Sequence, residues 1–162
     1  MPARKGPLDV TSELSPPITP MYLDTNVLLR AATKDPADQA SAVEAMLQEA
    51  ALRRGPALDV ASSTVSETIF VLRGKNYEFD RVRIVAFLEG LLALPVRVVE
   101  RSIIERAVGL YRDVHSDWDH CLLAACALER SNGRLVSFDR GLDRIPGLIR
   151  IEPTLLAAEG EA

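Results

Sequence analysis

The feature that most constrains the fold is an alternation of short apolar runs with helical stretches along a chain of 162 residues. Five runs have the length and composition of buried strands: 21–24, 57–62, 96–100, 134–139 and 148–152. Five stretches between them have the signals of helices: 35–55, 66–74, 81–94, 102–114 and 118–133. Strands separated by helices pair in parallel, with helices on both faces. The pattern predicts an α/β fold of three layers, with a central, mostly parallel sheet of four to five strands flanked by helices.

The chain divides into three parts by composition. Residues 1–20 are proline-rich and without periodicity, which predicts a flexible leader. Residues 21–153 carry the alternating pattern and predict one domain, and 154–162 predict a short C-terminal tail. Met21 opens the patterned part, so both Met1 and Met21 are consistent with the natural start.

Charge and apolar content limit the partners. The net charge is −4, so a binding site for a polyanion needs a local basic patch or bound cations. No apolar run reaches the roughly 18 residues of a membrane span, and the N-terminus has no apolar signal-peptide core. Cys121 and Cys126 lie five apart in one predicted helix, on different faces. We therefore expect a cytoplasmic protein with two buried, reduced thiols and no membrane contact.

Four acids occur at comparable places in the pattern. Asp24 ends the first strand, and Glu67 follows the second at the start of a helix. Asp119 lies in the first turn of the helix before the fourth strand, and Asp139 ends that strand. Ligands of open α/β sheets bind beyond the carboxyl ends of the strands. We therefore expect the four carboxylates to converge on one rim of the sheet.

Each acid also has a local explanation. Asp24 is a suitable cap for the helix that follows it. "TVSE" fits a capping box with Thr64 as the cap and Glu67 reaching back, and "SDWD" at 116–119 fits that pattern loosely. Asp139 precedes Arg-Gly and is a suitable turn residue. Taken one at a time, the acids do not require a shared site.

Two considerations favour a shared site. Asp119 has the helical spacing of a face formed with Leu122, Leu123 and Cys126, which should pack on the sheet and partly bury the carboxylate at a cost. Four carboxylates on one rim also repel one another unless a cation lies between them. Oxygen ligands without organised cysteine or histidine favour Mg²⁺ or Mn²⁺. The sequence therefore predicts a site for one of these ions.

Four blocks in order resemble the PIN-domain ribonucleases, and most closely the VapC-type toxins of type II toxin–antitoxin systems. The blocks are "YLDTNVLLR", "SETIFVL", "SDWDHCLLAACALE" and "LVSFDRGLDRIPG", and the resemblance runs from about Met21 to Pro153. It implies a metal-dependent endoribonuclease, a hydrolase that uses Mg²⁺ or Mn²⁺ to cut RNA. It also implies a small antitoxin protein as partner and a homodimer.

The resemblance assigns residues by motif. The catalytic and metal-binding acids are Asp24, Glu67, Asp119 and Asp139, and the supporting polar residues are Asn26 and Ser137. His120 departs from the family, which usually has a small residue after the third acid. A shifted register would put His120 in that acid's place and leave Asp117 as its substitute, whereas the alignment without a gap favours Asp119. The departure keeps open an alternative function, a catalytically weak or inactive PIN-fold module that binds RNA or protein.

Three further features have two interpretations each. The basic residues near the second strand either contact phosphate or form a solvated face: Arg53, Arg54, Arg73, Lys75, Arg81 and Arg83. Trp118 either stacks on a base or packs the start of its helix. The apolar helix at 84–95 is either a dimer contact or part of the core.

Overall fold

A computed structural model describes residues 19–54 and 56–154. The described strands are β1 (Met21–Tyr22), β2 (Leu58–Val60), β3 (Arg97–Val98), β4 (Arg134–Val136) and β5 (Ile149–Ile151). The described α-helices are α1 (Thr25–Thr33), α2 (Ala37–Ala51), α3 (Ser62–Arg73), α4 (Arg81–Ala93), α5 (Arg101–Asp113) and α6 (Trp118–Arg130). A 3₁₀ helix spans Arg140–Arg144. Apart from residues 19, 20 and 154, the predicted leader and tail lie outside the described residues.

All strand pairings in the described part of the chain are parallel, as the alternating pattern predicts. β2 pairs with β1 on one side and β3 on the other, with Met21 opposite Leu58 and Asp59 opposite Arg97. β4 pairs with β5. The described strands form a sheet of three and a sheet of two, which is roughly consistent with the expected central sheet of four to five strands. Each strand has only two or three residues, because the backbone leaves the strand conformation before the acids and turns that follow.

Helix boundaries show where local signals were misread. α1 starts directly after Asp24, so the chain has a helix before the one predicted at 35–55. That second helix ends at Ala51, shortly before Arg53 adopts a left-handed φ of 56°, and the expected stop at Gly55 lies outside the described residues. α3 begins at Ser62, so Thr64 lies inside it and its carbonyl accepts a hydrogen bond from Thr68. The predicted capping box is therefore wrong.

The core lies between the three-stranded sheet and the helices around it. Its largest fully buried side chains include Leu28, Ile69, Leu72, Ile84, Leu88, Ile103, Ile104 and Tyr111. α4 buries Ile84, Leu88 and Leu91, so the helix predicted at 84–95 is part of the core, and the homodimer stays a prediction. A smaller cluster of Ala124, Leu142 and Ile145 packs the 3₁₀ helix on α6.

Two global expectations concern the thiols and the membrane. Both cysteines are free, and burial raises the pKa of the Cys121 thiol to about 12, so this thiol is unreactive at neutral pH. No helix among residues 19–54 and 56–154 is long and apolar enough to cross a bilayer.

An ion pair with one buried partner joins β2 to β3 in the three-stranded sheet. The Asp59 side chain on β2 is fully buried, whereas Arg97 on β3 is 68% exposed. The Arg97 Nε donates to Asp59 Oδ1 at 2.8 Å, and its Nη2 donates to Oδ2. This hydrogen bonding holds the pKa of Asp59 below its ordinary value. A buried carboxylate needs such a partner, because burying an unpaired charge costs much more than the pair itself contributes.

Replacing Arg97 with methionine should lower the Tm at pH 7 by roughly 5–10 °C, because Asp59 loses its only ion-pair partner within the described residues. The ionised pair stabilises the fold fully above the ordinary carboxyl pKa of about 4, and this contribution disappears as the pH falls through the lowered value of the folded state. The difference in Tm between wild type and Arg97→Met should therefore shrink below about pH 4.

Thermal melts from pH 7 to pH 3 measure this effect. Arg106→Met is the control, since Arg106 is exposed and forms no ion pair with the described residues, so its loss should cost little. A difference in Tm that stays constant across the pH range would show that Arg97 acts by packing alone.

Candidate functional site

Asp24 leaves β1 and caps the N-terminus of α1. Its exposed carboxylate accepts hydrogen bonds from the backbone N–H of Asn26 at 3.4 Å and from the Asn26 side-chain amide at 3.1 Å. The local explanation of Asp24 as a cap is therefore correct. The same contacts hold its carboxylate at the carboxyl end of the strand, where the sequence predicts a ligand.

Thr25 connects this cap to the second acid. Its side chain is buried, and its hydroxyl donates to Glu67 Oε2 at 2.7 Å. The contact joins residues 42 positions apart and ties the start of α1 to α3. Thr25 is not among the site residues predicted from the sequence. A polar residue between an acid and an apolar run, in "LDTN", was the available signal.

Trp118 joins the start of α6 to the same part of α3. Its indole N–H donates to the Ser66 hydroxyl at 2.8 Å. The ring is 3% exposed and meets Tyr111 edge-to-face, with ring centroids 5.9 Å apart. Of the two interpretations of Trp118, packing is correct, because a ring buried on this scale has no face left for a base.

The rotation of α6 differs from the predicted one. Trp118, Cys121 and Ala125 form its buried side, whereas Leu123 is 46% exposed and Asp119 is exposed. The expectation of a partly buried Asp119 above Leu122, Leu123 and Cys126 is therefore wrong. The indole turns the helix toward α3 and α5, and the small residues Cys121, Ala124, Ala125 and Ala127 are buried in place of the leucines.

Asp117 and Asp119 have different roles at the start of α6. The Asp117 carboxylate accepts the backbone N–H of His120 at 3.0 Å and caps the helix. Asp119 lies in the first helical turn and forms no ion pair with the described residues. Asp119, the acid that the alignment without a gap favours, therefore has a carboxylate available to a ligand. The carboxylate of Asp117, its possible substitute, already accepts a backbone N–H.

Asp139 follows β4 and caps the 3₁₀ helix. Its Oδ1 accepts the backbone N–H of Gly141 at 2.8 Å, and the Ser137 hydroxyl accepts the backbone N–H of Asp139 at 3.0 Å. The buried Nδ1 atom of His120 lies 3.4 Å from Asp139 Oδ2 and makes no hydrogen bond with the residues that the structure describes. The side chain of His120 on α6 therefore packs against Asp139, and the His115 ring lies 5.4 Å from the His120 ring.

Three contacts thus join the segments that carry the four predicted acids. They are Thr25 with Glu67, Ser66 with Trp118, and His120 with Asp139. Within residues 19–54 and 56–154, however, no three acidic, histidine or cysteine side chains lie close enough together to hold a metal ion. The segments are adjacent, but the carboxylates are not gathered into a ready-made metal cluster.

The donor set fits a hard divalent cation in kind. Asp24, Glu67, Asp119 and Asp139 are all exposed and offer only oxygen atoms. Mg²⁺ commonly uses one or two protein carboxylates and completes its shell with water and substrate phosphate. Exposed carboxylates meet that requirement in kind, whereas the buried thiol of Cys121 does not contribute a ligand.

A groove of about 380 Å³ lies between α3 and the start of α6, beside Asp119. Its lining is Ser66, Ile69, Phe70, Arg73, Gly74, Asp117, Trp118 and Asp119. Of the predicted basic group only Arg73 lines it. Arg53 and Arg54 line another pocket beside the start of β2, Arg81 donates to a carbonyl of α5, and Arg83 covers the Phe79 ring. The predicted basic patch is therefore divided among several places.

A larger groove of about 430 Å³ lies between α1, α2 and α4. Its walls are mainly apolar, with Leu28, Leu47, Phe87 and Leu91 among them, and two cations also line it, Lys34 and Arg83. It is separate from the acids, because it shares no lining residue with the groove beside Asp119.

Comparison with known proteins gives a family and similar solved structures. The sequence profile of the PIN domain matches residues 21–148. The structure is similar to that of VapBC2 from Rickettsia felis bound to a DNA fragment from its promoter, with 19% sequence identity and a TM-score of 0.32. That similarity covers 83% of this chain and 98% of the other. No curated protein matches significantly.

Ser66→Ala should destabilise the protein by about 1–3 kcal/mol, because it leaves the buried N–H of Trp118 without an acceptor. Trp118 is the only tryptophan, so its fluorescence reports directly on this contact. Thermal melts and emission spectra make the measurement. Ser63→Ala is the matched control, because Ser63 is exposed in the same helical turn. Equal stability of the two variants would mean that the indole hydrogen bond does not hold α6 in place.

Proposed function

Because the chain belongs to the PIN-domain family, we propose that it is an endoribonuclease that hydrolyses RNA phosphodiester bonds with Mg²⁺ or Mn²⁺. We further propose that it is the toxin of a type II toxin–antitoxin pair, acting in the cytoplasm, with residues 21–153 as its PIN domain. PIN domains are generally nucleases. The observation that supports this function best is the chain of contacts from Thr25 to Glu67 and from Ser66 to Trp118, which brings the segments of three exposed acids together.

The proposed mechanism divides the work among the four acids. Asp24 and Asp119 would hold a divalent cation, which when bound polarises a phosphoryl oxygen and lowers the pKa of a coordinated water. Thr25 donates to Glu67 Oε2 and leaves Oε1 available to orient the attacking water or to accept its proton. Asp139 would do the same or help to bind a second cation. The Asn26 side-chain amide donates to the Asp24 carboxylate, and the Ser137 hydroxyl accepts the backbone N–H of Asp139. These two residues therefore hold the first and the last of the four acids.

A second candidate function is a PIN-fold module that binds RNA or protein without cutting it. Two observations favour it: no three metal-binding side chains are gathered among the residues that the structure describes, and the His120 ring packs beside Asp139, at a position where the family usually has a small residue. Cleavage of a mixed RNA pool in Mn²⁺, with EDTA as the control, distinguishes the two functions. Binding without cleavage supports the module.

The proposed antitoxin partner has a candidate surface in the apolar groove between α1, α2 and α4. Such a groove receives the apolar face of an amphipathic helix, and the cations among its lining, Lys34 and Arg83, would attract acidic residues of that helix. The groove is separate from the acids, so blocking the catalytic rim would require a further segment of the antitoxin. We also propose a homodimer, on the family resemblance alone.

Asp24→Asn should reduce metal-dependent RNA cleavage by roughly 100-fold or more, because it removes a charged ligand. The Tm should stay within a few degrees, since asparagine retains an oxygen that can accept the backbone N–H of Asn26. Cleavage rates in Mn²⁺ and thermal melts are the measurements. Asp38→Asn, an exposed acid in the first turn of α2, is the control. Activity lost only in proportion to unfolding would make Asp24 a structural residue.

The third acid is tested by a pair of variants at the start of α6. We expect Asp119→Asn to lose at least ten times more activity than Asp117→Asn, because the Asp117 carboxylate caps the helix and asparagine is an equally good cap. Cleavage rates and apparent Mn²⁺ affinities of both variants, compared with wild type, give the answer. The opposite order would support the shifted register, with Asp117 as the ligand.

A further inference from the structure

Phe70 is the most exposed large apolar side chain in the described part of the chain. It lies on α3, its side chain is 80% exposed, and it lines the groove beside Asp119. A single exposed apolar residue is common on a protein surface. This one borders a concave, partly polar groove that adjoins the candidate site, and such a position favours contact with a ligand.

The neighbours of Phe70 are chemically distinct along the helix. Glu67 lies three residues before it and Arg73 three residues after it, so a carboxylate, an aromatic ring and a guanidinium follow one another at about 4.5 Å of rise per step. Arg73 is exposed and forms no ion pair with the described residues. The opposite wall of the groove carries Asp117 and Asp119.

This arrangement gives the groove two walls of different charge. The carboxylates of Asp117 and Asp119 repel a phosphate, whereas the Arg73 guanidinium attracts one. Phe70 offers a flat apolar face, and Trp118 does not compete for a ligand because its ring is buried against Tyr111. A molecule that combines an aromatic ring with an anionic phosphate matches the groove, and nucleotides have this composition.

We propose that the groove between α3 and the start of α6 binds one unpaired nucleotide of the RNA substrate, with its base stacked on Phe70 and a phosphate held by Arg73. This inference rests on the proposed ribonuclease function. Stacking on a protein ring needs a base that is free of its partner strand, and it accepts any base because each has a π face. The subsite therefore selects single-stranded over double-stranded RNA without reading the sequence.

Equilibrium binding tests the subsite without interference from cleavage. The experiment uses the Asp24→Asn protein with Mg²⁺, and fluorescence anisotropy gives the Kd for a labelled single-stranded RNA oligonucleotide and for its duplex. The Kd is also measured for versions of the single strand in which one position at a time is abasic. Phe70→Ala should raise the Kd for the intact single strand roughly 5- to 100-fold. Phe70→Trp should restore it. Arg73→Gln should also weaken binding, with a smaller dependence on salt.

Two control variants match these changes elsewhere on the surface. Val82→Ala removes exposed apolar surface on α4, where the side chain is 76% exposed. Arg54→Gln removes one positive charge at a different pocket. Neither should change the Kd by more than about twofold. For the Asp24→Asn protein with Phe70 intact, one abasic position should raise the Kd about as much as Phe70→Ala does. In the Phe70→Ala variant, the same abasic position should raise the Kd little further.

The outcomes separate the subsite from the function on which it rests. If wild type neither binds nor cleaves RNA, the proposed function fails. If wild type cleaves RNA but Phe70→Ala and abasic positions have no effect, only the subsite fails. If Phe70→Ala changes the mass of the protein measured by sedimentation and abasic positions do not change the Kd, the subsite is overturned. Phe70 is then a contact between copies of the chain.

Discussion

The hydrogen bond from the buried indole of Trp118 to Ser66 determines how α6 lies on the rest of the molecule. It fixes the helix against α3, while the edge-to-face contact with Tyr111 fixes it against α5. The resulting rotation exposes Asp119, leaves Asp117 to cap the helix and opens the groove that Phe70 lines. A buried N–H group needs a hydrogen-bond acceptor, so the requirement of the Trp118 indole for an acceptor orients α6 within the candidate site.

The fold could be predicted from the sequence largely because alternation is a global signal. Every strand expected from an apolar run is present, and every described pairing is parallel. Strand lengths were overestimated because an apolar run does not show where the backbone turns to begin a helix. The rotation of α6 was misread because leucines outweigh alanines in a hydrophobic pattern, whereas close packing against α5 favours small residues. The pairing of Asp59 with Arg97 was not foreseen, since their contact spans 38 positions across two strands.

For the acids, the local and the shared explanations are compatible. Asp24, Asp117 and Asp139 each cap the N-terminus of a helix, and these termini lie on segments that neighbour one another. The positive ends of the helix dipoles therefore offset part of the repulsion among the carboxylates. The sequence identified these positions because capping and ligand binding select the same residue type. It could not show how far apart the carboxylates lie, which depends on side-chain packing such as that of His120 beside Asp139.

The helix caps divide the acids into two groups with different evolutionary constraints. Selection for stability alone preserves Asp24, Asp117 and Asp139, because each satisfies backbone N–H groups that would otherwise lack an acceptor. Glu67 caps no helix but accepts the hydroxyl of buried Thr25, so stability also constrains it. Asp119 caps no helix, is exposed and forms no ion pair with the described residues. A relative that loses its chemistry is therefore free to change Asp119 first while it keeps the other four. Substitution at Asp119, in an otherwise intact domain, is the expected mark of a PIN domain that has become a binding protein.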